Sequence, residues 1–222
     1  MRNIELAIFD MDGLMIDSES VYLRCAKTTL KNMGYQPDMD LLIETIGVDW
    51  ELTRKLFLQR YPQLDYEEYL KNLIVVLDEY VEKHSFKRKK GLLKLLKYLK
   101  KENIRTAVAT STQQPYAGER LDDAGITSYF DEIITGEMVS EGKPSPQIYL
   151  TVLDKFNIAS ENAVVFEDSK NGLLSADNAG IRCIVVPDVC IIPDDILKKA
   201  YKVVPDLSYG IDIINDLNNK KG

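Results

Sequence analysis

The stretch FDMDGLMIDSE, residues 9–19, completes an apolar run that begins at Ile4 and places two carboxylates directly after it. Asp10 and Asp12 are one residue apart and are followed by Gly13. A run of this kind is typical of a strand buried on both faces of a parallel sheet, and the glycine indicates a turn. Because neighbouring carboxylates repel each other, two acids at the end of a buried strand indicate a chemical role.

The composition is that of a folded protein with an acidic balance. The 222 residues are 45% hydrophobic and 28% charged, with a formal net charge of −7. This charge disfavours a nucleic acid polymer as partner, and the apolar runs are too short to span a bilayer. The three cysteines, Cys25, Cys183 and Cys190, have neither a metal-type spacing nor the even count of a disulfide framework. We therefore expect a monomeric cytoplasmic protein with reduced thiols and no membrane partner.

Short apolar runs alternate with longer amphipathic segments over most of the chain. The predicted strands are Ile4–Phe9, Ile104–Thr110, Glu132–Thr135, Ala163–Phe166 and Arg182–Val186. The predicted helices among them are Leu92–Leu99, Pro146–Phe156 and Asn171–Ala179. Repeated strand–helix–strand units predict an α/β fold with a doubly wound, Rossmann-like parallel sheet.

A long interval after the first strand has no strand pattern. Its helical segments are Ser20–Met33, Trp50–Tyr61 and Tyr66–Lys83, separated by glycine and proline. We predict an all-helical cap at residues 15–88, inserted into a catalytic core formed by residues 1–14 and 89–222.

Polar residues follow four of the predicted strands. Asp10 and Asp12 follow the first, Thr110 and Ser111 the second, Lys143 lies beyond the third, and Glu167, Asp168 and Ser169 follow the fourth. Each has an ordinary explanation as a helix cap or turn residue when taken alone. Because ligands bind at the carboxyl ends of the strands in an open parallel sheet, their coincidence predicts a functional site at that edge.

The residue types at this edge indicate phosphoryl transfer. Clustered carboxylates are tolerated when they hold a hard divalent cation, and Mg²⁺ fits oxygen ligands best. One carboxylate can act as a nucleophile, and a second can donate and accept the proton. Hydroxyl groups, backbone N–H groups and a lysine ammonium stabilise charge on phosphoryl oxygens.

Other site types fail on spacing. Counted from Asp10, an EF-hand loop would need its glycine sixth and an acid twelfth, but Gly13 is fourth and Val21 is twelfth. A phosphate-binding P-loop is excluded because Lys143 is followed by proline and not by serine or threonine. A hydrolase with an imidazole base would depend on His84, the single histidine, which lies in a polar segment that we interpret as a solvated return hinge.

The motifs together resemble the haloacid dehalogenase superfamily, in its branch of helical-cap sugar-phosphate phosphatases and β-phosphoglucomutase-like proteins. DMDGLMIDSE and FEDSKNGLLSADNAG are specific, VATST and GKPSP follow in the expected order, and the resemblance covers essentially the whole chain. It implies that Asp10 is the phosphoryl-accepting nucleophile and Asp12 the acid/base, whose carbonyl also binds Mg²⁺. Thr110 and the Ser111 amide resemble the phosphate-binding groups, and Lys143 resembles the lysine that bridges nucleophile and phosphate. Asp168 resembles a metal ligand, and Glu167 a ligand or an acid behind the ligands.

We expect substrate choice to depend mainly on residues of the cap. In the resembling family, cap residues near the site select the leaving group, and Trp50 could stack on a ring or pack within the cap. The candidate specificity residues are Ser18, Glu19, Tyr22, Gly47, Val48, Asp49, Trp50 and Gln114.

We expect a magnesium-dependent phosphatase that hydrolyses a small phosphorylated metabolite, with a sugar phosphate favoured, through an aspartyl-phosphate. One alternative is a β-phosphoglucomutase-type mutase, and another is a non-catalytic regulatory binding module. Mutases of this kind carry a histidine early in the cap and a basic pair late in it. Our approximate match places Tyr22, Val75 and Val76 there, although Arg24, Arg54 or Lys71 could substitute.

Overall fold

The structure is a computed structural model that describes residues 4–46 and 50–219. Six parallel strands form one sheet. In chain order they are β1 (Leu6–Phe9), β2 (Arg105–Ala109), β3 (Glu132–Ile134), β4 (Ala163–Glu167), β5 (Arg182–Val185) and β6 (Lys202–Val203). Their spatial order is β3-β2-β1-β4-β5-β6. The chain leaves β1 toward one edge and returns for β4 on its other side, so the order reverses at β1, where open α/β sheets bind ligands.

Ten α-helices accompany the strands in the described chain. They are α1 (Ser18–Asn32), α2 (Met39–Glu44), α3 (Trp50–Arg60), α4 (Tyr66–Lys83), α5 (Leu92–Lys101), α6 (Tyr116–Asp123), α7 (Gln147–Phe156), α8 (Lys170–Asn178), α9 (Asp194–Leu197) and α10 (Gly210–Asn219). Within the described ranges, no helix combines the length and the apolar character that crossing a membrane requires.

The chain divides into two compact units. One consists of Met1–Ile16 and Lys87–Gly222 and contains the whole sheet with α5 to α10. The other, Asp17–Phe86, contains α1 to α4 and no strand among its described residues. The predicted fold class, a doubly wound parallel sheet with a helical insert, is confirmed.

Both faces of the sheet are covered by apolar side chains. Every residue of β1 and β4 is buried, as expected for strands in the middle of a doubly wound sheet. On one face, Tyr149 and Val152 of α7 pack into a cluster with Leu6 and Val165. On the other, the Phe9 and Phe166 rings stack with centroids 4.9 Å apart. The periodic leucines of α5 are buried, which confirms its predicted amphipathic character.

The helical unit has an aromatic core of its own. Phe57 lies with its ring centroid 4.9 Å from that of Tyr69 and 5.5 Å from that of Tyr66. The Asp65 carboxylate accepts a hydrogen bond from the Glu68 N–H and caps the start of α4. The bounds of α4 are those predicted, whereas α2 was missed because six residues are too few to show a periodic pattern.

Candidate active site

The register of the sheet brings the polar strand ends together. Phe9 of β1 pairs with Val108 on one side and with Phe166 on the other. Asp10 follows directly, and its N–H donates to the Phe166 carbonyl at 3.1 Å. Asp10 therefore lies between the last residues of β2 and β4, and Glu167 is its neighbour across the sheet.

A tight turn places the second acid. Gly13 has φ of 80°, a left-handed conformation that residues with a side chain rarely adopt. The Gly13 N–H donates to the Ile16 carbonyl at 3.1 Å, and the Met15 N–H donates to the Met11 carbonyl at 2.9 Å. Because these bonds close a turn over Met11–Ile16, which begins two residues after the strand, Asp12 is held at the edge of the sheet near Asp10.

Lys143 connects the carboxyl ends of β1, β2 and β4. Its Nζ donates to Asp10 Oδ1 at 2.6 Å, to Glu167 Oε1 at 2.7 Å and to the Ala109 carbonyl at 3.0 Å. The ammonium also lies 5.1 Å from the ring centroid of Tyr149. All three donor positions of the ammonium are used, so it is fixed beside the Asp10 carboxylate.

The Glu167 carboxylate is fully buried and accepts five hydrogen bonds. Oε1 accepts from Lys143 Nζ and from the Tyr149 hydroxyl at 2.8 Å. Oε2 accepts from the Asp168 N–H at 3.1 Å, the Ser169 N–H at 3.1 Å and the Ser169 hydroxyl at 3.0 Å. Ser169 also caps α8 by accepting from the Gly172 N–H. Glu167 thus links the lysine to the start of α8.

Burial and charge shift the pKa values of these groups in different directions. Burial, with the nearby Glu167 carboxylate, raises the pKa of Asp10 to about 7 despite the opposing effect of Lys143. Burial also acts to raise the pKa of Glu167, but the Lys143 ammonium outweighs it and lowers that pKa. Burial acts to lower the pKa of Lys143, but the carboxylates of Asp10 and Glu167 raise it above its ordinary value. The site therefore favours a charged lysine between two carboxyl groups.

The carboxylates fit a divalent cation. One oxygen each from Asp10, Glu167 and Asp168 lie within 4.8 Å of one another, and all three residues are buried. The Lys143 ammonium pairs with two of these carboxylates, those of Asp10 and Glu167. Hard carboxylate oxygens are the ligands that Mg²⁺ prefers. Because Glu167 already accepts five hydrogen bonds, Asp10 and Asp168 are the better direct donors.

Asp12 has two partners from the segment that follows β2. Arg120 Nη1 lies 2.6 Å from Asp12 Oδ1, and the Thr112 hydroxyl donates to Asp12 Oδ2 at 2.6 Å. The Thr112 N–H in turn donates to the hydroxyl oxygen of the buried Thr110 at 3.1 Å. The second acid is therefore tied to the hydroxyl residue at the end of β2.

The sequence profile of the family described as haloacid dehalogenase-like hydrolase matches residues 7–186. The chain belongs to this family. The match spans β1 to β5 together with the helical insert, and so contains every residue of the site described above.

Relatives of this haloacid dehalogenase-like hydrolase agree with that assignment. The phosphorylated carbohydrates phosphatase of Thermotoga maritima is 35% identical over 179 residues, which cover 81% of this chain and 83% of the relative. A β-phosphoglucomutase-like structure from the same organism has a TM-score of 0.81 and 30% identity, covering 96% of this chain and 99% of that one. CbbY of Rhodobacter sphaeroides, solved with phosphate, has a TM-score of 0.75 and 27% identity over 92% of this chain and 95% of its own. The predicted superfamily and the predicted enzyme class, a phosphoric monoester hydrolase, are confirmed.

The core residues predicted from the sequence lie together in the haloacid dehalogenase-like hydrolase. Asp10, Lys143, Glu167 and Asp168 form one cluster. Asp12 lies two residues after Asp10, and Thr110 follows Ala109, whose carbonyl Lys143 binds. Ser111 is exposed beside Thr110.

The predicted specificity residues are distributed over both units. Ser18, Glu19 and Tyr22 lie in the first turns of α1, and burial raises the pKa of the Tyr22 hydroxyl. Gln114 is exposed in the core unit, and its N–H donates to Glu137 Oε1 at 3.0 Å. Gly47, Val48 and Asp49 lie outside the described residues. Trp50 is the first residue of α3, and the structure describes its backbone but not its side chain.

Three site residues were missed by the sequence analysis. Thr112, Arg120 and Tyr149 contact the predicted acids through side-chain hydrogen bonds, whereas Ser169 was predicted at this edge and its hydroxyl donates to Glu167. Thr112 carried a signal, because it lies in the VATST stretch that resembles the family pattern. Tyr149 and Arg120 carried none, since each lies within a helix where an aromatic or a cation is ordinary.

Proposed function

We propose that this chain is a magnesium-dependent phosphatase that hydrolyses a small phosphorylated metabolite, with sugar phosphates as the substrate class, through an aspartyl-phosphate. The observation that carries this proposal is the buried Asp10 carboxylate, 2.6 Å from the Lys143 ammonium at the carboxyl edge of the sheet. The relative named for phosphorylated carbohydrates supports the substrate class, and the CbbY complex with phosphate supports the ligand type.

In the first half of the proposed reaction, a carboxylate oxygen of Asp10 attacks the phosphorus of the substrate. The bond from phosphorus to the ester oxygen breaks, and Asp12 gives its proton to that oxygen, so that an alcohol leaves. In the second half, Asp12 takes a proton from water, and the water oxygen attacks the phosphorus of phospho-Asp10. Inorganic phosphate leaves, and the Asp10 carboxylate is restored.

Other residues stabilise the phosphoryl group during both steps. The Thr110 hydroxyl and the Ser111 N–H bind its oxygens, and Lys143 adds a positive charge that Glu167 holds in place. Asp10, Asp168 and the Asp12 carbonyl would hold Mg²⁺, with Glu167 supporting them through its bonds to Lys143 and to the Asp168 N–H. When bound, the cation supplies charge neutralisation at the phosphoryl oxygens.

We also propose that the protein acts as a monomer in the cytoplasm. Its three cysteines are free thiols, and Cys25 and Cys183 are buried, which suits a reducing compartment. Light scattering coupled to size exclusion tests the monomer, for which an apparent mass near 25.3 kDa is expected.

The test of the phosphatase proposal is phosphate release from a panel of phosphorylated metabolites, with magnesium and with EDTA. We expect turnover of one or more sugar phosphates that EDTA abolishes and added Mg²⁺ restores. An Asp10→Asn preparation, purified in the same way, controls for contaminating phosphatases. Absence of turnover on every compound, with and without magnesium, would replace this proposal with the non-catalytic binding module.

A further inference from the structure

We propose that Arg120 is a positioning residue for the reaction, which aims the Asp12 carboxylate at the leaving-group oxygen, with Thr112 as its second support. This inference rests on the proposed phosphatase function, because it concerns the proton that Asp12 gives to the leaving group. It assigns a role in proton transfer to helix α6, from which none of the expected catalytic residues comes.

The two donors hold different oxygens of the same carboxylate. Arg120 Nη1 lies 2.6 Å from Asp12 Oδ1, and the Thr112 hydroxyl lies 2.6 Å from Oδ2. Two donors on two oxygens fix both the direction of the side chain and the rotation of the carboxylate plane. The arginine bond is charge-assisted, which makes it the stronger of the two.

Arg120 and Thr112 are themselves held in place by contacts with the rest of the core unit. Ala117 and Leu121, on either side of Arg120 in α6, are fully buried and anchor the helix. The Thr112 N–H donates to the Thr110 hydroxyl oxygen at 3.1 Å. A chain of hydrogen bonds therefore runs from the proposed phosphate-binding hydroxyl of Thr110 through Thr112 to Asp12. The acid is set in position relative to the phosphoryl group.

The geometry has a consequence that depends on the leaving group. The Arg120 and Asp12 side chains are 30% and 26% exposed, so the carboxylate could turn toward solvent if its partner were removed. General acid catalysis by a well-placed group is typically worth about 10²–10⁴-fold. An alkoxide leaving group needs that proton, whereas p-nitrophenolate leaves without it. A positioning role for Arg120 must therefore matter for alkyl phosphates and matter little for p-nitrophenyl phosphate.

The experiment compares kcat/KM for the best alkyl phosphate of the panel and for p-nitrophenyl phosphate in wild type, Arg120→Gln and Arg120→Lys. We expect Arg120→Gln to lower kcat/KM for the alkyl ester by about 10–100-fold and for p-nitrophenyl phosphate by less than about threefold. Arg120→Lys, which keeps the charge, should recover part of the loss. An Asp12→Asn/Arg120→Gln double variant should be no slower on the alkyl ester than Asp12→Asn alone.

Arg105→Gln is the matched control, because Arg105 also faces a carboxylate, that of Glu5, at the opposite edge of the sheet. It should leave both rates unchanged. If Arg120→Gln does not fold, Thr112→Val removes the other donor and must give the same difference between the two esters. Equal losses on both esters, no loss on either, or additive losses in the double variant would overturn the inference. Failure of wild type to turn over either ester would overturn the proposed phosphatase function. The outcomes in the preceding sentence, obtained with an active wild type, would overturn only the role of Arg120.

Discussion

The carboxylate of Glu167 lies directly against the backbone of Gly172 in the first turn of α8. A Cβ atom added at Gly172 would be 1.7 Å from Oε1 of Glu167 and 1.8 Å from its Cδ. These distances leave no room for a methyl group unless the carboxylate moves. Since Glu167 holds Lys143 and Lys143 holds Asp10, the space beside Gly172 decides where the proposed nucleophile is held.

We expect Gly172→Ala to impair both activity and stability. Overpacking of this kind costs about 1–3 kcal/mol of unfolding free energy, and a shift of about 1 Å in a catalytic group can lower turnover about 10²-fold. Urea unfolding and phosphatase kinetics measure the two effects. Gly142→Ala is the control, because a Cβ there meets nothing within 4 Å. Wild-type kinetics in Gly172→Ala would contradict the importance of this contact.

Asp10→Asn should abolish turnover without unfolding the protein. The amide keeps the shape of the side chain but cannot form the aspartyl-phosphate, so we expect kcat to fall by at least about 10³-fold. The change removes one carboxylate from a buried cluster of three, so thermal stability should not fall. Phosphate release and a thermal melt test this. Substantial turnover by a verified, uncontaminated preparation would rule out the aspartyl-phosphate mechanism.

Unlike Asp10→Asn, Lys143→Met should destabilise the fold. It leaves the fully buried Glu167 carboxylate without its ammonium partner, and breaking such a pair costs about 3–5 kcal/mol. Adding Glu167→Gln should restore part of that loss, because it removes the uncompensated charge. Denaturant unfolding measures the three variants.

The control for Lys143→Met is Lys155→Met, which breaks a more exposed pair with Glu132. Exposed pairs contribute about 0–1 kcal/mol, so that variant should unfold almost as wild type does. Similar stability losses in Lys143→Met and Lys155→Met would show that the central lysine does not compensate Glu167.

A buried acid outside the site, Asp206, gives a pH-dependent contribution to stability. Asp206 pairs with Lys90 at 2.8 Å and accepts hydrogen bonds from the N–H and the hydroxyl of Ser208. The Lys90 bond, followed by the Ser208 bonds, lowers the pKa of Asp206 to about 2. This value is below the unfolded value of about 3.9. The contribution is therefore fully present above that pH and is lost as the pH falls toward 2.

Asp206→Asn should thus cost about 1 kcal/mol near neutral pH, a modest value because the Lys90 side chain is exposed. The difference from wild type should shrink between about pH 4 and pH 2. Urea unfolding at several pH values measures it, with Asp212→Asn on the exposed face of α10 as the control. A difference that stays constant down to pH 2 would mean that the ionised carboxylate contributes nothing.

The sequence predicted the parts of this molecule whose signal is local. The buried runs of β1 and β4 and the periodic leucines of α5 are each visible in a single window. By contrast, β6 is two exposed residues, Lys202 and Val203, and depends on pairing with β5. Such a short edge strand has no pattern of its own.

The residues of the site also differ in whether the sequence could predict their position. Asp10 and Asp12 follow a strand that the sequence reveals, so their position could be predicted. Arg120 contacts Asp12 across 108 positions of sequence, and Tyr149 contacts Glu167 across 18. Contacts of this kind depend on how α6 and α7 pack on the sheet, and an arginine or a tyrosine within a helix gives no sign of them.

Hydrolysis and phosphoryl transfer to a second sugar hydroxyl differ in the group that accepts the phosphoryl group from Asp10. A mutase must bind the distal phosphate of a bisphosphorylated intermediate, which requires cationic side chains in the cap. Tyr22 instead offers a neutral hydroxyl whose pKa burial raises, and Val75 is an exposed aliphatic side chain on α4. Arg24 lies over the ring of Tyr80, 5.7 Å from its centroid. These features of the helical unit favour water as the acceptor.

We therefore expect β-glucose 1-phosphate, supplied with magnesium and a trace of the bisphosphate, to yield free phosphate and little glucose 6-phosphate. A coupled dehydrogenase assay for glucose 6-phosphate and a colorimetric assay for phosphate follow both products in one sample. Tyr22→His, which adds a titratable cation at the position matched to the mutase histidine, should raise the share of glucose 6-phosphate if that position governs the outcome. Rapid formation of glucose 6-phosphate by wild type with little free phosphate would make the chain a mutase, because water would then have failed to compete for phospho-Asp10.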